Sequence, residues 1–260
     1  MQDLNVTLIQ TPLYWEDPSA NRAMLEEKIW SIHGPTDLVV LPEMFTTGFS
    51  MNVKPLAEPM NLHTFKWMKQ MAAQTGAVIA GSFMVQEQGR YYNRLLWMRP
   101  DGSFETYDKR HLFRMAEEHH TYSAGNKKII VALKGWNICP LICYDLRFPV
   151  WSRNHQLEYD LCLYVANWPE VRKHPWQVLL QARAIENLSY VIGVNRVGTD
   201  GKNLPYSGNS SVINYKGEVL WTMDQEACLY SHTFHKEELI SFRQKFPTQL
   251  DADQFSLATE

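Results

Sequence analysis

The stretch PLICYDLRFP, Pro140 to Pro149, starts like the end of a buried strand and then breaks into Cys143, Asp145, Arg147 and a proline. Free cysteine is among the most buried residue types, so packing alone accounts for most cysteines in apolar runs. A thiol placed where a strand opens into a loop is also where a nucleophile would be displayed. Which reading holds depends on what the rest of the chain brings to the same place.

Outward from this stretch, short runs rich in branched and aromatic residues alternate with amphipathic ones. The runs at 4–10, 37–42, 77–85, 90–99, 136–144, 160–167 and 189–197 read as strands, most of them central in a sheet. Helices are expected over 18–33, where Leu25, Ile29 and Ile32 recur at helical spacing, over 60–76, which ends on Gly76, and over 174–188. Pro100-Asp101-Gly102 reads as the turn of one hairpin, and Lys216-Gly217 as the turn of a second within 210–222. No repeat, low-complexity tract or linker divides the sequence, so a single α/β domain over 1–260 is expected, a mixed sheet with helices outside. Periodicity leaves open whether there is one sheet or two stacked sheets.

The 260 residues hold 25 Lys and Arg against 28 Asp and Glu, a net charge of −3. With no clustered basic charge, neither nucleic acid nor an acidic membrane surface is expected as a partner. The N-terminal MQDLNVTLIQTP lacks the pattern of a secretion signal, and no apolar run approaches the roughly 18 residues of a membrane span, so a soluble, cytoplasmic protein is expected. Cys139, Cys143, Cys162 and Cys228 are too sparse for a disulfide framework and lack zinc-site partners, so they read as reduced thiols with no metal.

Three functional side chains follow strand-like runs directly: Glu43 after DLVVLP, Lys109 after SFETYD, and Cys143. Taken singly, they read as a capping carboxylate, a surface lysine and a core thiol. Together they solve a chemical problem. A thiol of ordinary pKa is mostly protonated near neutrality and needs a base, which Glu43 supplies, while Lys109 stabilises the thiolate and the oxyanion of an attacked carbonyl. A Cys/His pair is the competing arrangement, but none of the nine histidines carries a matching local signature.

At these residues the sequence resembles the nitrilase superfamily of carbon–nitrogen hydrolases. The resemblance rests on LPEMFTTGFS with Glu43, YDKRHLF with Lys109 and ICYDLRFP with Cys143, joined by YSAGN (122–126), VANWP (165–169), QARAIEN (181–187) and VNRVG (194–198). It implies a four-layer αββα sandwich, usually a homodimer, with no cofactor or metal, and an acyl group held as a thioester on Cys143. It implies a second glutamate near the site, Glu118 with Glu117 as alternative, and an oxyanion hole of Lys109 and the backbone N–H of Tyr144. Asp145 and Arg147 would shape the loop after the nucleophile, and Asn167 and Trp168 would face the substrate.

Within the superfamily the motifs look most like bacterial omega-amidases. This implies a small-molecule substrate, a dicarboxylic monoamide such as 2-oxoglutaramate, 2-oxosuccinamate or succinamate. Its carboxylate needs a cation, and Arg114, Arg172, Lys173, Arg183 and Arg196 are the sequence's candidates. Another small amide or an N-carbamoyl compound is the alternative within the class, and a non-catalytic binding protein is the alternative outside it. The tail from about residue 246 is expected to pack on its own subunit or at a dimer interface.

Overall fold

The computed structural model describes residues 2–257. In chain order these residues form β1 (Leu4–Gln10), α1 (Pro18–Trp30), β2 (Leu38–Val40), α2 (His63–Thr75), β3 (Val78–Glu87), β4 (Arg90–Met98), β5 (Phe104–Asp108), β6 (Val131–Leu133) and β7 (Trp136–Ile142). They continue with β8 (Leu161–Ala166), α3 (Lys173–Asn187), β9 (Tyr190–Asn195), β10 (Val197–Thr199), β11 (Pro205–Ile213), β12 (Val219–Asp224), β13 (Cys228–Phe234) and α4 (Lys236–Lys245). Several single helical turns lie between.

Two stacked sheets resolve the choice that periodicity left open. The first has the order β13-β1-β2-β3-β4-β5, and the second β10-β11-β9-β8-β7-β6 with β12 paired to β11. Each has a parallel centre, β1-β2-β3 in one and β7-β8-β9 in the other, flanked by antiparallel strands. The period of two along each strand explains the stacking. Leu4, Val6 and Leu8 of β1, Leu38 and Val40 of β2, and Val78 and Ala80 of β3 join the core between the sheets. The alternate residues Ile9, Val39 and Ile79 face outward onto Leu25 and Ile29 of α1 and Phe65, Met68 and Met71 of α2. On the far side, Trp176, Leu180 and Ala184 of α3 and Leu239 of α4 cover the second sheet. The result is the αββα sandwich that the resemblance implies. The central strands are buried on both faces, which accounts for their continuous apolar runs.

Local chemistry sets several boundaries. Gly76 takes the left-handed conformation (φ 68°) that closes α2, and its N–H returns to the Ala72 carbonyl. The strand expected over 136–144 ends at Ile142, and Cys143 opens a one-turn helix to Arg147. The strand expected over 189–197 is interrupted at Arg196, a buried residue whose guanidinium bonds the carbonyls of Leu13, Val197 and Thr199. The tail returns along its own chain, with the Phe255 ring near His155 and Leu257 beside His111 and Trp151. Among the described residues no helix is long and apolar enough to cross a membrane.

Gly125 ties the segment after the single-turn helix Glu118–Thr121 to the end of β5. Its N–H bonds the Lys109 carbonyl at 2.9 Å, and a Cβ there would lie 2.2 Å from the Asp108 carbonyl oxygen. No side-chain rotation relieves a clash with backbone. Gly125→Ala is expected to destabilise the fold by about 1–3 kcal/mol, the usual cost of overpacking, read as a lower urea midpoint; an unchanged midpoint would show that the segment moves freely.

Candidate active site

The parallel strands β2, β7 and β8 end on the same side of the sandwich, where ligands gather in such sheets. Residues just beyond them, Glu43, Cys143 and Asn167, meet Lys109, which follows β5. The loop after β2 is fixed by Ser82 of β3, whose hydroxyl accepts from the Met44 N–H at 2.9 Å and whose carbonyl accepts from the Phe45 N–H at 3.0 Å. Glu43 is thereby turned inward and fully buried.

The Lys109 ammonium lies between two carboxylates. It donates to Glu43 Oε1 at 2.9 Å and to both oxygens of Glu118 at 3.0 Å. Its side chain is 1% exposed and theirs are 0%. The Phe49 ring, 5.0 Å from Nζ, faces the same ammonium. Burial disfavours the lysine's charge, but Glu118, Glu43 and Cys143 outweigh it and hold its pKa above that of ordinary lysine. For Glu118, burial and the neighbouring Glu43 raise the carboxyl pKa against the opposing pull of Lys109. Glu117 is exposed, so Glu118 is the glutamate that reaches the lysine.

Glu43 accepts two further hydrogen bonds, from Asn93 Nδ2 to Oε1 and from the Asn167 N–H to Oε2, each at 2.8 Å. The Asn167 side-chain amide also donates to the Glu43 carbonyl. Asn93 escaped the sequence reading. Its signal was a lone amide inside the run RYYNRLLWM, where a polar side chain on a buried face has to find a partner.

Cys143 sits at φ +43°, a left-handed conformation rare for a residue with a side chain. Its thiol pKa is pushed well up, first by burial, then by the Glu43 charge against the opposing effect of Lys109, and by a hydrogen bond to Glu43. These influences favour the thiol over the thiolate. The next residue but one, Asp145, accepts four hydrogen bonds: from Tyr107 Oη (2.7 Å) and the Ile142 N–H (3.1 Å) on Oδ2, and from the His111 N–H (3.0 Å) and Nδ1 (2.8 Å) on Oδ1.

Cys143 and Lys109 open onto a cavity of about 390 Å³, whose walls include Phe49, Met51, Phe113, Tyr144, Asn167, Trp168, Leu204 and Tyr206. Trp168 combines both roles considered for it. It lines the cavity, and its indole N–H is satisfied by the Arg172 carbonyl at 2.6 Å. Of the five cations named as carboxylate partners, only Arg172 lines the cavity. Lys173 pairs with Asp224, Arg183 with Glu186 and the Leu146 carbonyl, Arg196 is spent on backbone carbonyls, and Arg114 lies outside the wall. Two cations not among those five, Arg147 and Lys202, do line it. Among the described residues no group of three or more His, Cys, Asp or Glu is arranged to hold a metal ion.

This arrangement, a thiol and an ammonium on one cavity with a buried carboxylate behind them, sits on a fold with known relatives. A family model described as carbon-nitrogen hydrolase matches residues 5–244, and the chain belongs to that family, an enzyme hydrolysing carbon–nitrogen bonds. Omega-amidase YafV of Escherichia coli (strain K12) is 48% identical to it over 258 residues, 99% of this chain and 100% of that protein. The 2-oxoglutaramate amidase of Bacillus subtilis (strain 168) is 32% identical, over 93% of this chain and 95% of that one. The crystal structure of XC1258 from Xanthomonas campestris, a CN-hydrolase superfamily protein with an arsenic adduct in the active site, matches with a TM-score of 0.97 and 44% identity, over 99% of this chain and 100% of that one.

Removing the lysine should make stability depend on pH. In Lys109→Met the Glu118 carboxyl loses the charge that opposes its protonation, so its pKa rises further above its unfolded value. Between the unfolded and folded pKa the native state then binds more protons than the unfolded chain, and stability falls as pH rises, by up to about 1.4 kcal/mol per pH unit for one proton. Urea midpoints of variant and wild type are expected to diverge from pH 5 to pH 8, and a gap that does not change with pH would contradict this electrostatic account.

Proposed function

We propose that the protein is an omega-amidase that hydrolyses the terminal amide of short dicarboxylic monoamides, such as 2-oxoglutaramate, 2-oxosuccinamate or succinamate, through a thioester on Cys143. The observation that carries the reading is that Lys109 and the Cys143 thiol open onto one cavity, with the buried Glu43 behind them, its Oε1 2.9 Å from Lys109 Nζ. The extended similarity to an omega-amidase and to a 2-oxoglutaramate amidase supports the substrate class.

In this mechanism Glu43 takes the thiol proton as sulfur bonds the amide carbon, and the carbonyl pair moves onto oxygen. Lys109 and the Tyr144 N–H hold that oxyanion. Because burial disfavours a standing thiolate, the base acts at the moment of attack. Collapse of the adduct breaks the C–N bond, and Glu43 returns the proton so that ammonia departs. A water molecule then attacks the thioester, giving its proton to Glu43, which passes it to the leaving sulfur. Glu118 holds Lys109 in place, and Asn167, through its N–H to Glu43, aligns the base.

The substrate's far carboxylate meets Arg147. Among the described residues this guanidinium has no acid or carbonyl partner; it lies over the Trp168 ring at 4.9 Å and lines the cavity, so its donors are open to a carboxylate. Arg172, over the Phe113 ring at 5.2 Å, stands on the same wall.

Two measurements test this reading. Cys143→Ala is expected to abolish ammonia release while leaving the fold intact, and turnover like that of the wild type would sink the covalent mechanism. Succinamate is expected to exceed butyramide in kcat/KM by about 100-fold or more, because a neutral chain end leaves the pocket's cations unpaired, and Arg147→Met is expected to erase most of that preference. Equal values for the two substrates in the wild type would point instead to another amide or an N-carbamoyl compound on the same Glu, Lys and Cys.

A further inference from the structure

We propose that His111 is a positioning residue for the reaction, acting through Asp145 to fix the Lys109 segment against the Cys143 segment. The inference rests on the roles of Lys109 and Cys143 given above. The two catalytic segments come from different sheets. Lys109 follows β5 of the first sheet, and Cys143 follows β7 of the second. Two residues beyond each lies one half of a bridge between them, His111 on one side and Asp145 on the other.

The bridge uses Asp145 completely. Its Oδ2 holds the Ile142 N–H, just before the nucleophile, and the hydroxyl of Tyr107, just before the lysine. Its Oδ1 holds the N–H and Nδ1 of His111 at 3.0 and 2.8 Å. A carboxylate only accepts, so His111 donates from Nδ1 and its other ring nitrogen is left for a separate surface. That surface is a cleft of about 180 Å³ bounded by Arg110, Phe148, Trp151 and Leu257, away from the substrate cavity. The imidazole is clamped there, stacked on Phe148 at 3.7 Å and 6° and meeting Trp151 edge-on. Trp151 in turn donates to the Tyr107 hydroxyl at 2.9 Å. His111 therefore touches no substrate. It couples the position of the oxyanion donor to that of the thiol, where a displacement of one ångström is enough to slow chemistry.

Three substitutions at His111 test the clamp. His111→Asn puts an N–H donor where Nδ1 stood, His111→Gln puts it where Nε2 stood, away from Asp145, and His111→Phe keeps the stacked ring with no donor. The backbone N–H of residue 111 still holds Asp145 in all three, so the loss is graded. With the monoamide substrate, kcat is expected to fall roughly 10- to 100-fold in the Gln and Phe variants with KM within about threefold, while Asn retains most of the rate. Wild-type kcat in the Gln or Phe variant overturns the proposal, and so does an equal loss in all three. If the Phe variant does not fold, the Asn and Gln pair decides by itself. Turnover by Cys143→Ala would defeat the underlying mechanism, whereas an inactive Cys143→Ala beside a fully active Gln variant would defeat the clamp alone.

Discussion

The buried ammonium of Lys109 is the constraint on which the site depends. A charge removed from water costs several kcal/mol unless it is paired and hydrogen-bonded, and this one is served by Glu43 from the end of β2 and Glu118 from the single-turn helix Glu118–Thr121. Each of those carboxylates is itself buried and needs further donors. Glu43 finds them in Asn93 and in the Asn167 N–H beyond β8, and Glu118 in the Phe113 N–H at 2.6 Å. One lysine thus draws in both sheets and the intervening loop. The same network sets a carboxylate and a positive charge beside the thiol.

The sandwich matters because it supplies these groups from independent directions. Strand ends of the first sheet deliver Glu43 and Lys109, those of the second deliver Cys143 and Asn167, and the candidate active site lies at the seam between the sheets. The bonds from Asn167 to Glu43 and from Asp145 to Tyr107 and His111 cross that seam. Such cross-sheet bonds make the distance between the Cys143 thiol and the Lys109 ammonium a property of the whole core rather than of one loop.

Much of this was legible in the sequence where local chemistry decides it. The central strands announce themselves because both faces are buried, and Glu43, Lys109 and Cys143 stand out as polar groups at the ends of such runs. Other features depend on distant partners. The strand β13, with Ser231, His232 and Thr233, has no strong pattern of its own and is a strand because β1, more than two hundred residues earlier, pairs with it from Leu4 against Phe234 onward. The cations show the same limit. Arg183 and Arg196 sit in motifs beside the site, yet backbone carbonyls and Glu186 engage them, while Arg147 reaches the cavity because Trp168 offers it a ring and, among the described residues, no acid pairs with it. Which way a long side chain turns is set by acceptors that the linear sequence does not place.

The positive φ of Cys143 carries a consequence for how this protein changes over generations. A residue with a Cβ in that conformation costs roughly 1–2 kcal/mol relative to its usual backbone shapes, a cost glycine escapes. Met44, next to Glu43, has the same φ of 43°. At Met44 packing keeps the side chain, which is fully buried in an apolar cluster, whereas at Cys143 the proposed chemistry keeps one where backbone strain alone would favour glycine. Under the proposed mechanism, a lineage released from catalysis should drift toward glycine at 143, whereas one that retains cysteine there remains under selection for the reaction.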